Sequence, residues 1–280
     1  MSDRKLPKLN DLDALSSEES EIALGARRRI LESMKPRFDA TFGMGSMLRA
    51  MQPAIGPAIA AVGHLGRVSA TFEAIGASLA KEPARLRERI RVLVHQGWFI
   101  DPEMPISLVR DLAEAFDNGN LQEAEEALVD YYRTSADAVI KRVCDQNPLR
   151  AEIMTQAFAA HQAGHYGLSV PAFLIQADGL AGEHHDGRQL FSKVPARSVG
   201  AVANSAAEGS SEWLFLSAYA ESSPFSKNTN ELGEGFTGLN RHGVLHGAIV
   251  NYATEINSLR ALSALGYASF VMSPNLARDA

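Results

Sequence analysis

The chain has 280 residues, 46% of them hydrophobic and 7% aromatic, with a formal net charge of −6. This composition predicts a globular protein with a sizeable core. The acidic balance argues against a surface coated in basic residues for bulk nucleic-acid binding, although not against a small basic site. The single cysteine, Cys144, excludes an intrachain disulfide. The chain lacks an apolar run of about 18 residues and an apolar signal core near its start, so we expect a cytoplasmic protein without stable membrane insertion.

The first part of the chain predicts a tail followed by helices of unknown role. Residues 1–20 are polar and acidic, as in a mobile tail. Residues 21–148 are expected to form a helical N-terminal region, which begins with a helix over about 22–38. Residues 40–80 are rich in Gly, Ala and Met and contain two prolines. They predict short helices or a flexible or membrane-surface segment.

The helical pattern becomes clearer from residue 83 onward. Helices are predicted over residues 85–96, 106–116 and 121–144. Gly97 is expected to end the first of them, and the third is expected to break near Thr134-Ser135. Asn147-Pro148 marks a boundary, and we place a domain junction there.

Residues 149–280 predict a second helical domain. Its first helix covers about 149–163 and ends at Gly164. In the second helix, apolar residues recur at the spacing of one buried face: Val170, Phe173, Leu174, Ala177, Leu180 and Ala181. Pro171 is expected in the first turn of that helix, where its missing N–H costs little.

The end of the chain predicts one further helix, a loop and a central closing helix. The further helix covers about 196–221, and the Ser/Asn/Gly-rich loop covers 222–238. The closing helix covers about 252–272 and is apolar around more than half of its circumference, so we expect it to be central. Because strand-like alternation is nearly absent, the sequence predicts an all-α fold.

The segment LNRHGVLHG, residues 239–247, carries side chains suited to phosphoryl chemistry. Arg241 offers a permanent charge and a planar donor fork that matches a phosphate. His246 exchanges a proton near neutral pH. RNA cleavage by its own 2′-hydroxyl needs proton transfer and a cation that stabilises the phosphorane. We therefore predict Arg241 and His246 as a catalytic pair; the alternative is an Arg–His pair that ties helix ends together.

The spacing of this pair leaves two arrangements open. On a regular helix, residues five apart lie roughly 140° apart, since each residue turns about 100°. Arg241 and His246 would then face different directions. Either Gly243 and Gly247 bend or end the helix, or two copies of the motif meet across a symmetric dimer.

This segment resembles the HEPN (higher eukaryote and prokaryote nucleotide-binding) family, whose signature is Arg, a polar residue, three variable residues and His. Residues 241–246 fit each position, and the trailing glycine is present as Gly247. Residues 157–180 and 251–265 are similar to the family's opening helical pair and closing helix. The resemblance covers about residues 150–280, and we find no family resemblance for residues 1–148.

The resemblance implies a bundle of four or five helices over residues 149–280, preceded by the helical N-terminal region. It implies a homodimer and a metal-independent endoribonuclease that needs no cofactor, with RNA as its partner. It also implies use as a toxin or antiviral defence effector, with an antitoxin or defence-system partner. Because some members of the family are inactive, the alternative is a HEPN-fold protein for binding or dimerisation.

Four further residues are predicted to support the catalytic pair or bind substrate. Asn240 and His242 flank Arg241. Asp178, on the second helix of the domain, is expected to orient Arg241 or a histidine; the alternative is a surface carboxylate. Tyr252 is expected to contact substrate, and its alternative is a place in the core.

Other polar clusters have simpler interpretations. Residues 184–186, His-His-Asp, suggest a metal but more simply form an exposed loop, since no second ligand cluster stands at usable spacing. His161 and His165 are four residues apart, yet Gly164 between them favours structural roles. Residues 233–238 match G-x-G-x-x-G without a preceding strand, which favours a mobile loop over a dinucleotide site. We therefore predict no metal site.

Overall fold

The computed structural model describes residues 82–184, 187–192, 194–220, 223–233, 236 and 238–272. The predicted tail over residues 1–20, the helix over 22–38 and the interrupted segment over 40–80 lie outside the described residues.

Helices account for the regular secondary structure of the described residues, which confirms the predicted all-α fold. The α-helices are α1 (Glu82–His95), α2 (Ile106–Asp117), α3 (Leu121–Gln146), α4 (Ala151–Gln162), α5 (Tyr166–His184), α6 (Val199–Ser205), α7 (Ser211–Phe215), α8 (Ser217–Ala220), α9 (Arg241–Leu245) and α10 (Glu255–Val271). Short 3₁₀ turns lie at Pro148–Arg150, Pro195–Arg197 and Thr229–Glu231. One isolated bridge joins Gln189 and Ser198. In this part of the chain, no helix has both the length and the apolar content to cross a membrane.

The core lies between the four long helices α3, α4, α5 and α10. Helix α10 packs against α3 and α5, and α4 packs against the same two helices. Thr254 caps α10 by accepting a hydrogen bond from the backbone N–H of Asn257 at 3.2 Å. Beyond that cap α10 is buried around most of its circumference, which confirms its predicted central place. The buried serines of α10 form hydrogen bonds. The Ser269 hydroxyl, for example, donates to the Gln146 side chain and accepts from the Asn147 side chain.

The predicted apolar face of α5 is also confirmed. Its six residues are each at most 1% exposed: Val170, Phe173, Leu174, Ala177, Leu180 and Ala181. A fully buried large apolar side chain contributes about 1.5–3 kcal/mol, so this face is a main reason why α5 stays docked on α10. The helix begins at Tyr166, which places Pro171 in its interior rather than in its first turn as predicted.

Two predicted helices differ from the observed ones. Helix α3 is unbroken at Thr134 and Ser135. Each hydroxyl donates to the carbonyl four residues earlier, which is how such side chains are accommodated within a helix. The helix predicted over 196–221 is instead three short helices, α6 to α8. Gly209 adopts φ +84° between the first two of them. Such a left-handed residue interrupts a helix.

Helices α1, α2 and α6 to α8 form the second part of the core. Helix α1 packs against α2, α7 and α8, and Gly97 at φ +81° ends it as predicted. Phe99 then enters an aromatic cluster with Phe191, Tyr219, Phe225 and Tyr267.

Asn147-Pro148, where the sequence suggested a domain junction, lies between two helices of one compact unit. Helix α3 precedes this point and α10 follows it, yet they pack together. Helices from both sides of residue 148 therefore share one core.

Candidate active site

Helix α9 carries the Arg-His motif, and Asn240 fixes its start. The Asn240 side chain is fully buried. Its Oδ1 accepts from the backbone N–H of Gly243 at 2.6 Å, which is an N-cap. Its Nδ2 donates to the carbonyls of Pro224 and Lys227 at 2.7 and 2.8 Å. Burial and these bonds make Asn240 a positioning residue for the motif, which agrees with a supporting role.

Gly247 fixes the end of α9. It adopts φ +68°, and two hydrogen bonds close the helix end in the Schellman pattern. The N–H of Ala248 donates to the carbonyl of Gly243 at 2.8 Å, and the N–H of Gly247 donates to that of Val244 at 3.1 Å. His246 is therefore the last, capping residue of the helix. The helix therefore ends within the motif, as the first of the two arrangements requires; the dimeric arrangement stays a prediction.

Gly243 serves packing rather than bending. A Cβ atom at this position would lie 2.5 Å from Cδ1 of Ile249 and 3.0 Å from Oδ1 of Asn240. A larger residue would therefore displace the Ile249 side chain. The glycine leaves room for Ile249 to pack against α9.

Arg241 forms an ion pair with Asp178 of α5. The two side chains are 21% and 18% exposed, and burial lowers the pKa of the Arg241 guanidinium. The guanidinium also lies 5.8 Å from the ring centroid of Phe191. Within the described residues, neither Nε of Arg241 nor Oδ1 of Asp178 has a hydrogen-bond partner. The site thus holds a largely desolvated ion pair in which one buried donor and one buried acceptor have no partner among the described residues.

His242 and His246 lie side by side on α9. Their ring centroids are 4.4 Å apart and the rings are tilted by 55°. His246 is exposed and His242 is half-buried. Two imidazoles on one short helix place two proton-transfer groups within reach of a single substrate.

Tyr252 reaches α5 instead of the motif. Its hydroxyl donates to the carbonyl of Gly167 at 3.1 Å. That carbonyl is four residues before Pro171, which has no N–H to donate to it. Tyr252 therefore satisfies a carbonyl that the proline leaves free, and its observed contact is structural.

The other polar candidates have structural partners. His161 shares a 2.8 Å hydrogen bond with Ser258, which in turn contacts Ser169 at 2.7 Å. Near the end of α5, Glu183, which is not among the predicted site residues, accepts hydrogen bonds from Arg150. Among the residues that the structure describes, no group of three or more His, Cys, Asp or Glu side chains is placed to hold a metal ion. His185, Asp186 and parts of the 233–238 loop lie outside those residues.

Comparisons with protein-family models, curated proteins and solved structures found no match to this chain. Of the predicted residues, the structure brings Asp178 to Arg241 and His242 to His246. Sequence reasoning missed Phe191, because nothing in its local pattern connects it with Arg241.

Proposed function

We propose that the protein is a metal-independent endoribonuclease of the HEPN type, with Arg241 and His246 as its catalytic pair and His242 as the supporting proton donor. The observation that carries the proposal is the pair of adjacent imidazoles on the same short helix as a guanidinium. General acid–base groups and a cation are what cleavage by the 2′-hydroxyl requires. His246 is exposed, so a nucleotide can reach it without unfolding of the helix.

In the proposed reaction, His246 removes the proton of the ribose 2′-hydroxyl. The 2′ oxygen forms a bond to phosphorus and the bond from phosphorus to the 5′ oxygen breaks. His242, whose ring centroid is 4.4 Å from that of His246, protonates the departing oxygen. Arg241 stabilises the charge on the phosphorane. The products are a 2′,3′-cyclic phosphate and a free 5′-hydroxyl.

The ion pair with Asp178 favours a second function. Arg241 is mostly buried and already paired, so a phosphate must displace or share the Asp178 carboxylate. In an inactive HEPN-fold protein that serves binding or dimerisation, the same ion pair would only tie α9 to α5. Because both histidines belong to the same short helix as Arg241, the nuclease is the stronger candidate.

The partners belong to the same proposal. Single-stranded RNA is the expected substrate, because a splayed nucleotide reaches an exposed histidine more easily than one stacked in an A-form helix. We propose a homodimer through residues 149–280 and a role as a toxin or antiviral effector in the cytoplasm. Several large apolar side chains of α4 and α5 are exposed and available for such an interface: Ile153, Leu168 and Ile175.

The decisive experiment incubates purified protein with mixed single-stranded RNA in EDTA. Wild-type protein should cleave RNA, spare single-stranded DNA and leave cyclic or 3′-phosphate ends. Arg241→Ala and His246→Ala should each lose at least about a hundredfold in rate, the usual scale for such groups. Circular dichroism on each variant checks that the fold is kept.

The matched control is His165→Ala, which removes an exposed histidine in the turn between α4 and α5. This variant should cleave at the wild-type rate. Full activity in His246→Ala, or 3′-hydroxyl products that need magnesium, would contradict the proposed mechanism. A wild-type protein without any cleavage, but with dimers in sedimentation, would favour the second function.

A further inference from the structure

The two imidazoles of α9 have the geometry of a bidentate metal ligand. They stand four residues apart, one helical turn, so both rings project from the same side of the helix. Their centroids are 4.4 Å apart. Two imidazoles bound at right angles to one metal, with metal–nitrogen bonds of about 2.0–2.1 Å, place their ring centroids roughly 4.5 Å apart. The observed separation therefore needs little rearrangement for chelation.

The backbone that carries these rings is fixed at both ends. Asn240 caps the start of α9 and is itself held by two carbonyls of the preceding loop. Gly247 and Ala248 close the other end through backbone hydrogen bonds. A chelate built on a fixed backbone loses little conformational freedom when the ion binds.

The local charge does not oppose a bound cation. Arg241 adjoins His242 in the chain, but its charge is balanced by the Asp178 carboxylate. The exposure of His246 leaves room for water molecules in the remaining coordination positions. Because the described residues contain no third ligand placed to join them, an ion held here would stay open to solvent and bind reversibly.

We propose that His242 and His246 together bind a divalent transition-metal ion. Imidazole nitrogens suit Cu²⁺, Ni²⁺ and Zn²⁺. Among these three ions Cu²⁺ should bind most tightly, and Mn²⁺ should bind more weakly than all three. Mg²⁺ and Ca²⁺ prefer oxygen ligands and should not compete. Inhibition by the metal, unlike its binding, rests on the proposed nuclease function. The bound ion occupies both proton-transfer groups and therefore inhibits RNA cleavage.

The test uses the full chain without a histidine tag and titrates it with NiCl₂ by calorimetry. His242→Ala and His246→Ala should each weaken Ni²⁺ binding at least about tenfold, because the second imidazole acts at a high effective concentration. The double variant His242→Ala/His246→Ala should bind Ni²⁺ no more tightly than either single variant. Electron paramagnetic resonance spectroscopy of the Cu²⁺ complex should detect two nitrogen ligands in the wild-type protein and fewer in each single variant.

Two controls separate this pair from other histidines. His165→Ala and the double variant His184→Ala/His185→Ala should bind Ni²⁺ as wild type does. Unchanged binding in His242→Ala, or loss of binding in the 184/185 variant, would overturn the assignment. Circular dichroism verifies that each variant is folded; if an alanine variant unfolds, His242→Gln replaces it with the same expected loss.

Cleavage assays separate this inference from the proposed function. Zn²⁺ or Ni²⁺ should inhibit RNA cleavage by wild-type protein at the concentration at which it binds, and EDTA should restore the rate. Ni²⁺ binding that depends on both histidines, in a protein that cleaves no RNA, would support the metal site and contradict the nuclease. RNA cleavage by a protein whose Ni²⁺ binding does not depend on these histidines would support the nuclease and contradict the metal site.

Discussion

At the scale of single residues, the Arg241–Asp178 ion pair dominates the behaviour of the candidate site. Each partner is about four-fifths buried, so water screens the two charges only partly. Removal of one partner leaves the other charge poorly solvated, which costs more than the pair contributes to stability. The ion pair therefore holds α9 on α5 and sets the direction of the guanidinium.

The substitution Asp178→Asn tests this role. It keeps the shape of the side chain but leaves Arg241 without a counter-ion. We expect the free energy of unfolding to fall by about 1–3 kcal/mol, measured by urea denaturation. The control is Asp145→Asn on α3, whose ion pair with Lys141 is exposed. It should change stability by under about 0.5 kcal/mol, and equal losses in the two variants would argue against a special role for Asp178.

His161 confers a pH dependence on stability. Burial lowers the pKa of its imidazole below the ordinary value of 6.5, although the Glu255 carboxylate opposes this. Well above pH 6.5, His161 is unprotonated in both the folded and the unfolded chain. As the pH falls from 6.5 through the lowered folded-state pKa, the unfolded chain binds it first and stability is lost.

The variant His161→Gln should remove this contribution. Its free energy of unfolding should depend less on pH between 7.5 and 5.5 than that of wild type. Urea denaturation at several pH values measures the difference, and His165→Ala should keep the wild-type slope. The same slope in wild type and His161→Gln would show that the proton binds elsewhere.

At the scale of elements, α5 tolerates an interior proline because another segment supplies the missing hydrogen bond. Pro171 cannot donate to the carbonyl of Gly167, and Tyr252 donates to it instead. This bond ties the start of α5 to the loop that joins α9 and α10. Because α5 also carries Asp178, the same helix contacts Arg241 at the start of the motif and Tyr252 just after it.

A double-mutant cycle tests this compensation. Tyr252→Phe should lower the free energy of unfolding by about 1 kcal/mol, because a carbonyl loses its partner. Pro171→Ala restores an N–H that can donate to Gly167. In that background Tyr252→Phe should therefore cost less, and the coupling between the two sites should be measurable by urea denaturation. Strict additivity of the two substitutions would contradict the proposed link.

At the scale of the whole molecule, residues on both sides of position 148 form one core. Helix α3 lies against α10 and carries Glu125, which pairs with Arg260. Asn147 at the end of α3 donates to Ser269 at 2.9 Å. A fragment that begins at residue 149 would expose the α3-facing sides of α4 and α10 and lose these bonds.

We therefore expect the fragment 149–280 to unfold without a sharp transition, whereas the fragment 82–280 should melt cooperatively. Circular dichroism against temperature measures both, because cooperative unfolding depends on a complete core. A sharp transition of the shorter fragment at the temperature of the longer one would mean that residues 149–280 form an independent domain.

The amino-acid sequence by itself determined most local features of the helices. The apolar spacing of α5, the apolar circumference of α10 and the glycine stops at Gly97 and Gly164 depend only on neighbouring residues. For that reason they could be predicted. The residue types of the Arg-His motif were also readable, since a guanidinium and two imidazoles lie within six residues of the chain; the chemistry proposed for them stays a prediction.

Only the tertiary structure decided how these side chains are engaged. The partner of Arg241 lies on α5, and that of Tyr252 lies near the start of the same helix. Neither contact leaves a periodic signal, because it joins segments far apart in the chain. The same holds for α3, whose place beside α10 depends on complementary packing across the core rather than on its own pattern. Local propensity therefore sets the elements, and long-range packing sets the site.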